Sequence, residues 1–143
     1  MKKILSALAA LSITLSGISA YAATDVNVNF NGKKMEFDVN PFIDGDRTLV
    51  PVRAIFEAVG AHFTWNDELK TVIAAYEKNG EPTFITLQID TKSAFVNGEK
   101  KELDVPPRIV DGRTFMPLRF VMEELGADVT WDSSTYTVNI KTE

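Results

Sequence analysis

The sequence predicts an α+β fold in which one β-rich unit is written twice in tandem. Two observations lead to this prediction. Residues 30–74 match residues 96–140 at a constant offset of 66 positions, without a gap. Within each copy, short alternating apolar runs surround one amphipathic segment of about two helical turns. Because helices this short are not stable alone in water, we expect tandem β-β-β-α-β-β units, with antiparallel sheets each curled around a short helix.

Each copy begins with a predicted β-hairpin. Asn31-Gly32 in the first copy and Asn97-Gly98 in the second are flanked by short alternating runs. Both residue types tolerate the positive φ of a two-residue type I′ turn, so Asn-Gly is a strong hairpin signal. A proline break, a turn at Gly45 or Gly112 and one short strand then lead to the helix.

The predicted helices each have one apolar face and end at a glycine suited to a left-handed cap. The apolar positions are Val52, Ile55, Phe56 and Val59 in the first copy and Leu118, Val121, Met122 and Leu125 in the second. Two strands follow each helix, and in the first of them Trp65 or Trp131 shares a face with an apolar residue. We therefore predict that both tryptophans pack in the core. The alternative is that they form exposed platforms on which sugars stack.

An arginine and a glutamate recur on both predicted helices. Arg53 and Glu57 are spaced i, i+4, and so are Arg119 and Glu123, which lets each pair meet on one helix face. We interpret each as a partly buried ion pair that fixes the helix to the sheet. The alternative is an arginine that binds the carboxylate of a ligand.

The N-terminal segment predicts export. A basic start, an apolar run and Ala20-Tyr21-Ala22 form the three parts of a secretory signal, which we place at residues 1–22. The first repeat with a bridging strand would then occupy 23–90, and the second 91–143. The apolar run is shorter than a membrane-spanning helix requires, so we expect no stable membrane span. The mature chain keeps an excess of acidic residues, which excludes nucleic acid as an expected partner.

The composition offers little for catalysis or metal binding. The chain has one histidine, His62, and no cysteine. Tight copper and zinc sites draw on several imidazole or sulfur ligands, and a Ser-His or Cys-His arrangement needs a positioned base. We therefore expect no catalytic residue, no cofactor and no metal site. Asp44-Gly45-Asp46 resembles the start of a calcium loop, but the remaining ligands of that pattern are missing, and we interpret it as a turn.

The second copy carries an ordered set of motifs, which are Asn97-Gly98, Asp104 to Pro107, Gly112 to Thr114, Pro117 to Arg119, Glu123 to Ala127 and Thr130 to Asp132. This order resembles the copper amine oxidase N-terminal domain family, also called the stalk domain. The resemblance covers nearly all of the mature chain. It implies a sheet wrapped around a helix and no oxidase activity, because the copper, the quinone and the active site of the oxidase belong to other domains.

These observations predict an exported, non-catalytic interaction or scaffolding module of the bacterial cell envelope. The expected partner is a cell-wall polysaccharide or an envelope protein. The alternative is a structural subunit of a surface layer or filament, which self-associates through open sheet edges.

Overall fold

A computed structural model describes residues 25–142, so the predicted signal segment at 1–22 lies outside the described residues. The described range contains two helices and thirteen strands. The helices are α1 (Val52–Val59) and α2 (Leu118–Glu124). The strands are β1 (Asn27–Phe30), β2 (Lys33–Lys34), β3 (Phe42–Asp44), β4 (Arg47–Pro51), β5 (His62–Asn66), β6 (Thr71–Lys78), β7 (Glu81–Gln88), β8 (Ser93–Val96), β9 (Glu99–Glu102), β10 (Arg108–Val110), β11 (Arg113–Pro117), β12 (Asp128–Asp132) and β13 (Thr137–Lys141).

The two Asn-Gly hairpins are confirmed. Asn31 and Gly32 have φ values of 53° and 85°, and Asn97 and Gly98 have values of 51° and 83°. These turns join β1 to β2 and β8 to β9 as antiparallel pairs. The positive φ at both turn residues gives the hairpin the twist of its flanking strands.

The predicted count of three strands before the helix of each copy is wrong, because each copy has four, β1 to β4 before α1 and β8 to β11 before α2. The missed strands are β3 and β10, which are three residues long and follow prolines. They pair with β4 and β11 through two-residue turns at Gly45-Asp46 and Asp111-Gly112, whose residues all have positive φ. Three residues beside a proline are too few to show an alternating pattern in the sequence.

The strands form three sheets, each of which combines strands from both predicted copies. Sheet A has the order β12-β13-β1-β2, sheet B the order β10-β11-β4-β3, and sheet C the order β5-β6-β7-β8-β9. The prediction of purely antiparallel sheets is wrong at one place, because β1 pairs with β13 in parallel. A parallel pair requires a long crossover, which the chain between these two strands provides.

The two central strands of sheet B, β4 and β11, pair in a symmetric register. Val50 of β4 faces Met116 of β11, while Leu49 faces Pro117 and Pro51 faces Phe115. Positions 50 and 116 are 66 apart, so the register is unchanged when the two strands are exchanged. Each of these strands leads directly into one helix, and both helices contact both strands.

The helices bury the faces that the sequence predicts. Val52, Ile55 and Phe56 of α1 are buried, as are Leu118, Val121 and Met122 of α2. Val59 is only partly buried, and Leu125 is buried just beyond the end of α2. Gly60 and Gly126 have φ values of 83° and 87°, which confirms the left-handed helix ends. The helices and the inner faces of sheets A and C share one apolar core, so the fold is α+β.

Candidate binding grooves

The two tryptophans are not buried in the core, and the prediction that they are is wrong. The residue exposure is 37 % for Trp65 and 38 % for Trp131. Both lie on edge strands, β5 and β12, which have a neighbouring strand on one side only. A helix of seven or eight residues is only about 12 Å long. Each helix therefore covers the apolar residue at the start of its neighbouring strand, Phe63 in part and Val129 fully. The indole rings of Trp65 and Trp131 lie two residues further along these strands and stay more than one third exposed.

Trp131 forms part of a groove of about 640 Å³, which we call the Trp131 groove. Its walls combine residues from both halves of the chain. They include Arg47, Asp104, Arg119, Trp131 and Tyr136. The ring of Tyr136 stands edge-on to the ring of Trp131, with centroids 5.4 Å apart and planes at 65°. The two rings form an aromatic corner open to solvent.

Tyr136 has a backbone conformation that is uncommon for a large side chain. Its φ is 52°, in the left-handed region, where an aromatic residue is a true outlier. The position is the last residue of the turn between β12 and β13, and Lys70 occupies the equivalent turn with a φ of 51°. The turn therefore requires the conformation, and the choice of tyrosine brings an aromatic ring against Trp131.

Trp65 lines a second groove, of about 500 Å³, which we call the Trp65 groove. All of its lining residues except Asp67 lie 66 positions from a residue that lines the Trp131 groove. In this groove the indole N–H of Trp65 donates to a carboxylate oxygen of Asp67 at 3.4 Å. Lys70 donates to the same oxygen at 3.3 Å, and this bond is the largest cause of the lowered pKa of Asp67. In the Trp65 groove, Lys70 thus occupies the turn position that Tyr136 occupies in the Trp131 groove.

An arginine–aspartate ion pair forms part of the wall of each groove. Arg47 meets Asp104 at 2.6 Å, and Arg113 meets Asp38 at 2.6 Å. Each pair joins the strand before one helix to the segment after the opposite hairpin. The hydrogen bond from Arg113 lowers the pKa of Asp38, and the same bond raises the pKa of Arg113. All four side chains are about half exposed or more, so the planar charged groups are accessible to a ligand.

The two predicted helix ion pairs form, but neither is partly buried, and that part of the prediction is wrong. Arg53 and Glu57 are 3.8 Å apart with highly exposed side chains, and the guanidinium of Arg53 lies over the ring of Phe63 at 5.4 Å. Arg119 donates to Glu123 at 3.1 Å and to the backbone carbonyl of Val129 at 3.0 Å. Of the two helix arginines, only Arg119 therefore joins its helix to the neighbouring strand by a hydrogen bond. The predicted role of fixing the helix to the sheet applies to this pair alone.

The residues do not fit a copper centre. His62 is exposed on the edge strand β5, and the chain has no second imidazole and no thiol. Across residues 25–142, no three His, Cys, Asp or Glu residues are grouped as a metal ion would need. In the turn that resembles the start of a calcium loop, the carboxylate of Asp44 accepts a hydrogen bond from Arg108 at 2.7 Å.

Among the described residues, no helix is long and apolar enough to cross a membrane.

Sequence reasoning missed the residues that complete the grooves. Arg47, Arg113, Asp38 and Asp104 were among the positions shared by the two copies, but no local pattern marked them as partners. Their recurrence was itself a signal, because a polar residue that recurs in both copies outside a turn or a helix cap is expected to make a contact that both copies share. Tyr136 carried no such signal, since its counterpart Lys70 is chemically different.

Comparison with known proteins places this β-rich fold in a domain family. The model of the copper amine oxidase N-terminal domain family matches residues 29–140. The chain therefore belongs to this family, and the resemblance seen in the motifs is confirmed. The chain is also similar to a protein named "Protease inhibitor" from Brevibacillus choshinensis, at 30 % identity over 141 residues. That alignment covers 94 % of this chain and 40 % of the relative, so the chain spans well under half of the relative's length.

Proposed function

We propose that this chain is an exported, non-catalytic binding module of the bacterial cell envelope and that its two grooves hold a cell-wall polysaccharide. The observation that carries the proposal is the pair of equivalent grooves, each with a half-exposed tryptophan beside an accessible arginine–aspartate pair. Indole faces stack on the apolar faces of sugar rings, and planar charged groups hydrogen-bond to hydroxyls. The apolar N-terminal run supports export, and the acidic composition disfavours nucleic acid and anionic lipid.

The non-catalytic part of the proposal is supported by the family and by the side chains present. One exposed histidine cannot supply the ligand set of a tight copper site. We expect calorimetric titration with Cu(II) to give no stoichiometric binding at submicromolar affinity, and a peroxide-release assay with simple amines to give no signal. Tight binding that is lost in His62→Ala would contradict this part of the proposal.

The binding test uses the mature chain, residues 23–143, mixed with isolated bacterial cell walls. The bound fraction is measured by sedimentation at increasing protein concentration. Wild-type protein should bind in a saturable manner, and the double variant Trp65→Ala/Trp131→Ala should lose most of this binding. His62→Ala is the matched control, because it also changes an exposed ring on an edge strand, outside both grooves. Equal binding by the wild type and the double variant would refute a role for the grooves.

A second candidate is inhibition of an extracellular protease, which the name of the Brevibacillus relative favours. The grooves would then hold a segment of a protein rather than a glycan. The test is the rate of peptide hydrolysis by secreted serine and metalloproteases, with and without the mature chain. Stoichiometric inhibition that is lost in the double tryptophan variant, together with no retention on cell walls, would favour this candidate over the first.

A further inference from the structure

The outer face of sheet C carries an apolar patch that the grooves do not use. Its central residues are Ile73 of β6, Phe84 and Thr86 of β7 and Phe95 of β8, and we call this surface the Phe84 face. Thr86 faces Ile73 on one side and Phe95 on the other, so these side chains form one row across three strands. The large side chains are widely open to solvent, with exposures of 46 % for Ile73, 50 % for Phe84 and 43 % for Phe95.

The equivalent face of sheet A is polar, which shows that sheet formation does not require the patch. The positions equivalent to Ile73 and Phe95 are Asn139 and Asn29. These asparagines lie on paired strands, and Asn29 donates to Asn139 at 3.1 Å. Sheet A thus presents a hydrogen-bonded polar surface at the positions where sheet C exposes apolar groups. The inserted strand β7, which has no counterpart in sheet A, adds Phe84 to the face.

The distribution of charge around the Phe84 face indicates what can cover it. The chain has a formal net charge of −5, so two copies repel each other over most of their surfaces. The Phe84 face has no charge at its centre, and the charged residues around it on the same face by strand alternation are Glu77, Lys100 and Glu102. Two copies can therefore meet across an uncharged centre, and each copy offers both an acidic and a basic side chain at the margin.

The patch lies at the centre of the outer face of sheet C, which limits the area that a second copy could cover. Five strands about 4.8 Å apart, each contributing about six residues at about 3.3 Å, give this whole face roughly 480 Å² in projection. A sheet face of this kind packs best against another sheet face, at a separation of about 10 Å. The area lies below the roughly 800 Å² per partner of a standard interface, so the contact should be weak and dependent on concentration.

We propose that a second copy of this chain docks on the Phe84 face, so that two C sheets pack face to face in a symmetric dimer. Both grooves open on the opposite, inner sides of sheets A and C, because Trp65 and Trp131 alternate with the outward-facing residues of β5 and β12. The dimer therefore leaves four grooves free. If the proposed function holds, this multivalency strengthens binding to a repetitive polymer; the dimer itself does not depend on that function.

The test is sedimentation velocity of the mature chain from low micromolar to millimolar concentration. Wild-type protein should shift from monomer to dimer over this range. The variant Ile73→Asn/Phe95→Asn gives sheet C the residues that sheet A has at the equivalent positions, and it should raise the dimer dissociation constant by about tenfold or more. Leu69→Asn is the control, because Leu69 is also exposed but lies in the turn between β5 and β6, outside the Phe84 face and outside both grooves.

A second variant keeps the test decisive if the double substitution impairs folding. Thr86→Lys changes one partly exposed residue at the centre of the face and places like charges opposite each other in the dimer. It should give a monomer at all concentrations with an unchanged thermal transition. A wild-type chain that stays monomeric up to millimolar concentration overturns the proposal, as does a dimer that Thr86→Lys leaves intact. Wall binding is measured separately through the tryptophans, so failure of one proposal is distinguishable from failure of the other.

Discussion

The Trp131 groove and the Trp65 groove are built by equivalent strands and helices but present different chemistry. Both have a half-exposed tryptophan on an edge strand and an arginine–aspartate pair in the wall. In the first groove Tyr136 stands against the tryptophan, whereas in the second Lys70 donates to Asp67 beside it. The arginine of the helix also differs, because Arg119 is hydrogen-bonded to strand β12 while the guanidinium of Arg53 lies over a phenylalanine ring.

The repeated framework thus fixes where each groove lies, while a few side chains decide what the groove can bind. The positions that make the walls are shared, and the side chains that differ occupy a turn and the helix surface, where packing allows substitution. The aromatic corner and the larger volume lead us to expect the Trp131 groove to bind a glycan more tightly than the Trp65 groove.

The first prediction compares the two tryptophans in wall binding. Trp131→Ala should weaken binding by about tenfold and Trp65→Ala by about threefold, because truncating a central aromatic side chain dominates the loss of affinity. Each substitution should lower the free energy of unfolding by only about 1–2 kcal/mol, less than the 3–5 kcal/mol typical of a fully buried ring. Binding isotherms and urea denaturation measure the two effects. Equal losses of binding would show that Tyr136 contributes nothing.

The second prediction compares the helix arginines. Arg119→Ala should lower the free energy of unfolding by about 1 kcal/mol, because it removes hydrogen bonds to Val129 and to Glu123. Arg53→Ala should cost about 0.3 kcal/mol, since its ion pair with Glu57 is long and exposed. Chemical denaturation of both variants gives the comparison. A larger cost for Arg53→Ala would mean that its contact with Phe63 matters more than the hydrogen bond of Arg119.

The third prediction concerns the two left-handed turn residues. Lys70→Gly should raise the free energy of unfolding by about 0.5 kcal/mol, because glycine adopts positive φ without the steric penalty of a side chain, and this gain exceeds the loss of the exposed bond to Asp67. Tyr136→Gly relieves the same strain but loses a ring contact of about 0.5–1 kcal/mol with Trp131, so its net effect should be zero or destabilising. Thermal denaturation of both variants measures the difference. Equal stabilisation by the two glycines would show that the contact between the rings of Tyr136 and Trp131 does not contribute to stability.

The fourth prediction concerns pH and has the smallest expected effect. The pKa of Asp38 is lowered in the folded chain, chiefly by the hydrogen bond from Arg113. A carboxylate with a depressed folded pKa stabilises the fold above its unfolded pKa, and that contribution is lost as pH falls through the folded pKa. Asp38→Asn should therefore show a slightly flatter loss of stability below about pH 4 than the wild type, the range of an ordinary aspartate pKa.

The control for this pH prediction is Asp128→Asn, which changes an exposed carboxylate on strand β12. NMR titration of the Asp38 carboxyl group measures its pKa directly. An Asp38 pKa at or above the ordinary value would mean that the bond to Arg113 does not persist in solution.

Local pattern was enough to predict the hairpins, the helices and their buried faces. Asn-Gly turns and capping glycines act through φ, which each residue determines for itself. The apolar faces of α1 and α2 follow from helical periodicity, which the sequence displays directly. The same reasoning failed at the tryptophans, because alternation tells on which side of a strand Trp65 and Trp131 lie but not what covers that side.

The turns, the two short helices, the family and the repetition of one pattern along the chain can therefore be read from the residues alone. The parallel pairing of β1 with β13 appears only in the folded chain. Only the tertiary structure placed Arg47 beside Asp104 and Arg113 beside Asp38. The physical reason is that these contacts join segments far apart in the chain. Which distant strands and charges meet is fixed by how the whole core packs, and no local pattern records it.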